Sequence, residues 1–181
     1  MIAASRWLTA TEFRARFPGV AARLDDAAIG ALLEACFVVR TPSGELLVDQ
    51  GWPAPALYFL WQGRFGLRLG AEGRIEELGL LPPHAIVGEV SFFDGEPASA
   101  GILAISRQAT ALVLPLASFE ELAGREPRVA AGLYRAVTET LAERLRAATE
   151  QFEGLQTPGP AQPASPVAAL LRTLFGLGAG R

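Results

Sequence analysis

The sequence predicts a mainly β domain with flanking helices: an eight-stranded β-roll, or jelly-roll barrel, led by two helices and closed by a long one. Three observations carry this. From Phe37 to Val113, short apolar runs alternate with turn residues at about ten-residue spacing, the pattern of closed antiparallel β structure. Before Phe37, two helix-start signals precede apolar residues at helical spacing. After Pro127, one apolar stripe repeats with the helical period as far as Phe152.

Thr9-Ala-Thr-Glu12 fits a capping box, so the first helix starts there and stops near Pro18. Asp25 caps a second helix with Ile29, Leu32, Leu33 and Cys36 along one side. The predicted strands are 37–40, 45–50, 56–61, 64–69, 74–80, 85–87, 101–105 and 110–114. Pro42-Ser-Gly44, Gly51-Trp-Pro53, Gly63, Gly70, Gly73, Pro82-Pro83 and Gly95-Glu-Pro97 punctuate them. A short helix-prone run follows Gly88-Glu89 and ends before Pro97. Ser118 caps a segment to about Ala123, and Pro127 stands where a first-turn proline belongs in the long helix. Its stripe comprises Val129, Leu133, Val137, Leu141, Leu145 and Phe152, with Arg135, Glu139, Glu143, Arg144 and Arg146 mostly elsewhere. The expected organisation is a helical lead (1–16), a main domain (17–152, long helix 127–152), a Pro-rich linker (153–166) and a short amphipathic tail (167–181).

Composition removes several function classes. Of 181 residues, 50% are hydrophobic and 19% charged, as expected of a globular chain with a real core. The net charge is −3, and all sixteen basic residues are arginine, so no electrostatic argument points to nucleic acid or an anionic membrane. One cysteine excludes an intramolecular disulfide, and one histidine argues against a metal cage. No signal-peptide core and no membrane-length apolar run stand in the sequence, so the expected location is cytoplasmic. With no nucleophile elbow, Walker loop or metal cluster, the expectation is a protein that is not an enzyme.

Two blocks carry a family resemblance. In "PSGELLVDQGWPAPALYFLWQGRFGL", Gly44-Glu45, Gly51, Leu57-Tyr58-Phe59-Leu60 and Gly63 combine spaced glycines with an aromatic-aliphatic strand. In "VGEVSFFDGEPASAG", Gly88-Glu89 and Pro97 bracket a strand-turn-helix whose free backbone N–H groups converge on one spot. Over roughly Phe17 to Phe152 the chain resembles the cyclic-nucleotide-binding domain shared by catabolite-activator-type regulators, kinase regulatory subunits and cyclic-nucleotide-gated channels.

The resemblance implies a phosphate cassette formed by Gly88, Glu89, Val90, Ala98 and Ser99. Glu89 falls at the position of the ribose-binding glutamate, Ser99 at that of a phosphate-contacting hydroxyl, and Ala98 at that of the phosphate-pairing arginine. Gly101 replaces the usual threonine. Losing one partner of a buried charge pair costs about 2–5 kcal/mol, a fall in affinity from tens to a few thousandfold. Glu89 therefore has a second reading, as a cap on cassette backbone. Arg107, at the end of the post-cassette strand, is a better source of replacement charge than Arg64 and Arg68, which read as outer-face residues. His84 and Cys36 could recur as haem ligands in a variant of this fold, but a loop histidine and a core cysteine fit them better. Trp52 reads either as a contact residue or as packing on corner prolines.

Two functions follow. One is a non-catalytic regulatory or adaptor protein with no cofactor, its pocket vestigial, acting through protein contacts. The alternative is a small-molecule sensor holding a cyclic nucleotide or cyclic dinucleotide in a non-standard way. The family implies a homodimer through Leu133, Val137, Leu141 and Leu145 of the long helix. The tail residues Leu170, Leu171, Leu174 and Phe175 suggest a docking peptide for a protein partner, or a segment that folds back on its own pocket. The family's DNA-reading module, expected after the long helix, has no match in the proline-rich segment there, so direct DNA binding is not expected.

Overall fold

The computed structural model describes residues 2–53, 55–71 and 74–154, together with Arg172, Leu174 and Phe175. Its β-roll consists of two four-stranded antiparallel sheets. The strands are β1 (Phe37–Pro42), β2 (Leu46–Val48), β3 (Ala56–Gln62), β4 (Phe65–Ala71), β5 (Arg74–Leu80), β6 (Ile86–Val87), β7 (Gly101–Ala104) and β8 (Gln108–Pro115). One sheet runs β1-β8-β3-β6 and the other β2-β7-β4-β5. All eight expected strands are present, each within a few residues of its expected limits.

Burial explains why β3 reads as an unbroken apolar run, Ala-Leu-Tyr-Phe-Leu-Trp, rather than an alternation. Successive side chains of a strand point to opposite faces. Ala56, Tyr58 and Leu60 fill the interior of the roll, while Leu57, Phe59 and Trp61 pack against the helices. Strand β8 does the same, with Ala109, Ala111 and Val113 inside and Leu112 and Leu114 under the helices. A strand covered on both faces has no polar side to show.

The helices form the second layer. α1 (Ala10–Arg16) starts with the expected capping box, Thr9 and Glu12 each accepting from the other's backbone N–H. Pro18 does not simply end that helix: it begins a further turn, α2 (Pro18–Ala21), as a first-turn proline. α3 (Asp26–Ala35) is capped by Asp25, whose carboxylate accepts from the Ala28 N–H at 2.8 Å. Ile29, Leu32, Leu33 and Cys36 are all buried, as their spacing requires.

α4 (Glu89–Asp94) interrupts the roll between β6 and β7, and α5 (Leu116–Arg125) and α6 (Pro127–Gly154) close it. Ser118 is not the cap of α5: the helix begins two residues earlier, following Pro115, which offers no side-chain cap. α6 buries Val129, Ala130, Leu133, Ala136 and Val137 in the core it shares with α2, α3 and α5. Among the described residues, no helix is long and apolar enough to cross a membrane.

Candidate functional site

The strand-turn-helix at Val87-Gly88-Glu89 is built around a glycine that admits no replacement. Gly88 has φ +82°, and a Cβ there would stand 2.5 Å from the Ala56 carbonyl oxygen and 2.9 Å from the Tyr58 ring. The chain thus turns sharply off β6 directly over β3 and enters α4. Across from it, the β2–β3 turn clasps the other limb. The Gly51 N–H donates to the Ala98 carbonyl at 2.8 Å, and the Ala98 N–H donates to the Trp52 carbonyl at 3.2 Å. Gly88, Glu89, Val90, Ala98 and Ser99 are thereby brought to the rim of one hollow, with Val48, Leu67 and Ile102 as its floor. Val90 itself turns outward and is 50% exposed.

Glu89 is only 3% exposed. Its carboxylate accepts from Arg144 Nη1, while Arg144 Nη2 donates to the Ile86 carbonyl at 2.9 Å. The cation from the long helix therefore holds the carboxylate that the family resemblance assigns to a ribose. Burial pushes the Glu89 carboxyl up from the ordinary carboxylate range, and the neighbouring guanidinium opposes that shift without cancelling it. Glu89 works here as an ion-pair partner of α6, and its carboxylate also accepts from its own backbone N–H at the start of α4.

Arg144 is the cation that the structure brings to the cassette, and a signal for it exists in the sequence. It lies seven residues after Val137 and eleven after Leu133, within about 20° of the latter on a helix of 3.6 residues per turn. That is the inward face, where an arginine needs an anionic partner. Arg107 does not supply the charge. It is exposed in the turn after β7, where its carbonyl accepts from the Ser43 N–H at 3.2 Å. The whole length of β7 separates it from the cassette. Arg64 is exposed, and Arg68 approaches Asp49 at 3.9 Å.

Two residues of the tail reach this site. Phe175 lines the hollow, its ring centroid 4.7 Å from the guanidinium carbon of Arg144. Leu174 packs beside it against the residues of the roll interior. Arg172 donates to Glu76 of β5 at 2.9 Å. Leu170 and Leu171, the other two residues expected to dock, lie outside the described residues. With Phe175 in place the hollow keeps about 40 Å³ of free volume, against roughly 300–1,000 Å³ for ordinary small-molecule pockets. A larger hollow of about 170 Å³ lies over β4, β5 and β7, but it contains none of the cassette residues.

The long-helix stripe divides. Leu133 (0% exposed) and Val137 (1%) belong to the core of their own chain, Leu141 sits at its margin, and Leu145 is 62% exposed. A seam made of all four is therefore corrected, because the first two already face the domain. His84 and Cys36 also fall in separate settings. His84 holds φ +57° in the turn before β6 with its ring on Phe17, and Cys36 is buried at the end of α3. Trp52 is 60% exposed beside the cassette, while Trp61 is buried beneath Arg16.

Residues 38–126 match the family model described as cyclic nucleotide-binding domain. A candidate potassium channel protein of Rhodopseudomonas palustris (strain ATCC BAA-98 / CGA009) is 32% identical over 130 residues, which is 72% of this chain. The chain spans only 30% of that relative's length. Among solved structures, the N-terminal domain of a transcriptional regulator from Streptomyces coelicolor A3(2) is 29% identical with a TM-score of 0.61, over 76% of this chain and 93% of that one. A cyclic nucleotide-binding domain from Methylobacillus flagellatus KT shares the fold at a TM-score of 0.71 and 20% identity, over 88% of this chain and 89% of that one.

Proposed function

The chain belongs to the cyclic nucleotide-binding domain family, and from that premise we propose that it is a non-catalytic regulatory domain sensing a small ligand with a phosphate and a planar ring. In this reading Arg144 takes over the charge that Ala98 cannot provide. One observation carries it: a guanidinium from the closing helix stands inside the cassette, 15% exposed and paired with Glu89. A ligand phosphate entering there would compete with Glu89 for Arg144. Binding is thereby coupled to the position of α6, and such a coupling makes a binding domain into a switch.

Calorimetric titration of the full chain with cAMP, cGMP and cyclic di-GMP tests this beside Ala98→Arg and Arg144→Ala. The expected result is weak binding of one of these nucleotides by the wild type, abolished by Arg144→Ala. Ala98→Arg should tighten binding of a cyclic mononucleotide by about tens to a few thousandfold, the worth of a restored charge pair. Folded protein that binds none of them in any variant overturns the sensor.

A second reading keeps the pocket closed and gives the domain a role as an adaptor. It is favoured by Ala98 and by the phenylalanine already seated in the hollow. Its contact surface would be the exposed apolar residues Val90, Phe93, Tyr134 and Leu145 beside the cassette helix. Tyr134, Thr138, Leu141 and Leu145 follow a four-three-four spacing, the seam of a paired helix, so a second copy of this chain is the partner proposed for that face.

A further inference from the structure

Three contacts of the tail converge on one place. Phe175 lies in the cassette hollow over the Arg144 guanidinium, Leu174 covers the roll interior, and Arg172 is tied to Glu76 on β5. About 40 Å³ remains, room for water but not for a nucleotide. The fastening is also light. The Arg172–Glu76 pair is about one-third exposed on each side, where ion pairs contribute little. Arg172 Nε is buried with no hydrogen-bond partner among the described residues, a cost that docking must carry. An aromatic ring on a guanidinium, held by an exposed ion pair, has the chemistry of a removable ligand.

We propose that the segment bearing Arg172, Leu174 and Phe175 is a built-in occupant of the cassette hollow, held by Glu76 and Arg144, which must leave before a ligand enters. Phe175 takes the place of a flat base over Arg144, so the ligands that displace it are those combining a planar ring with an anion. That last step rests on the sensor reading, whereas occupation by the tail does not. The segment shields the hollow in proportion to the time it spends docked, and it lowers apparent ligand affinity by the same factor.

The test measures access to the hollow without needing a ligand. Ala100 lines it and is 8% exposed, so Ala100→Cys in the full chain places a thiol beneath the tail. The native Cys36 is buried and burial pushes its thiol pKa up, leaving it unreactive. The rate of iodoacetamide labelling is compared in this parent, in Phe175→Ala, in Glu76→Arg, and in Glu76→Arg combined with Arg172→Glu. Thermal unfolding checks that each is folded. Phe175→Ala is expected to speed labelling by about tenfold, the factor for a segment docked some nine-tenths of the time, and Glu76→Arg by about two- to fivefold, the worth of an exposed ion pair. The swapped pair should return the rate to near the parental value, which a general loosening of the fold would not do. Labelling at the parental rate in both single variants, or a swap that fails to slow it, overturns the inference. Adding cAMP to the Phe175→Ala protein then addresses the sensor separately. Protection shows ligand and tail sharing the hollow. Unchanged labelling after a clear tail effect leaves the tail inference standing and counts against the sensor.

Discussion

Arg144 and Glu89, 55 positions apart in sequence, form the ion pair that fastens α6 to α4. The pair is nearly dry, with side-chain exposures of 15% and 4%. Two ions taken out of water are costly, and their mutual attraction offsets that cost only while both are present. The pair is therefore a latch: it adds little to the fold relative to two apolar residues, yet the loss of one member leaves a stranded charge.

Removing one side should show this in urea denaturation. Glu89→Ala is expected to destabilise the protein by about 2–4 kcal/mol, somewhat below a fully buried case because Arg144 keeps some contact with water. Adding Arg144→Met to Glu89→Ala should recover part of that loss, giving a coupling of about 1–3 kcal/mol between the sites. Additive effects would mean that the two side chains do not interact.

Stability should depend on pH through the same residue. Glu89 has a carboxyl pKa raised in the folded state by burial. A raised folded pKa means that the native protein holds the proton more tightly than the unfolded chain. The contribution of Glu89 is then greatest below the ordinary carboxylate pKa and is lost as pH rises through the raised value. Measured against Glu89→Gln, which cannot titrate, the wild type should lose relative stability across that window, starting near pH 4.5. A difference that stays flat or grows with pH contradicts the assignment.

What the sequence made legible was local. Thr9 and Glu12 lie three residues apart, and a capping box is complete within that span. The strands announce themselves through apolar runs between turn residues, so all eight could be placed. The site depended on distance. Glu76 meets Arg172 across 96 positions, and nothing in either neighbourhood names the other. Arg107 was misleading because nine residues after Ala98 is close in sequence, whereas an extended strand carries the chain about 3.3 Å per residue away from the cassette. Arg144 could have been found. Its spacing from Leu133 and Val137 sets it on the buried face, and a charge on such a face implies a buried partner.

The long helix offers the last prediction, because its stripe contains two surfaces. Leu133 is fully buried and Leu145 lies about 120° round the helix from it, facing outward. Leu133→Ala should cost about 2–5 kcal/mol in urea denaturation, the range for a truncated core leucine. Leu145→Ala should change the stability of the single chain by less than about 0.5 kcal/mol. Sedimentation velocity then reads the proposed pairing. Leu145→Ala and Tyr134→Ala should shift the chain toward monomer, since both residues stand on the outward face with Thr138 and Leu141 between them. Wild-type protein that is monomeric at high concentration removes the pairing. Dissociation by Leu133→Ala without loss of stability would instead return the seam to Leu133, Val137, Leu141 and Leu145 and require α6 to leave its own core.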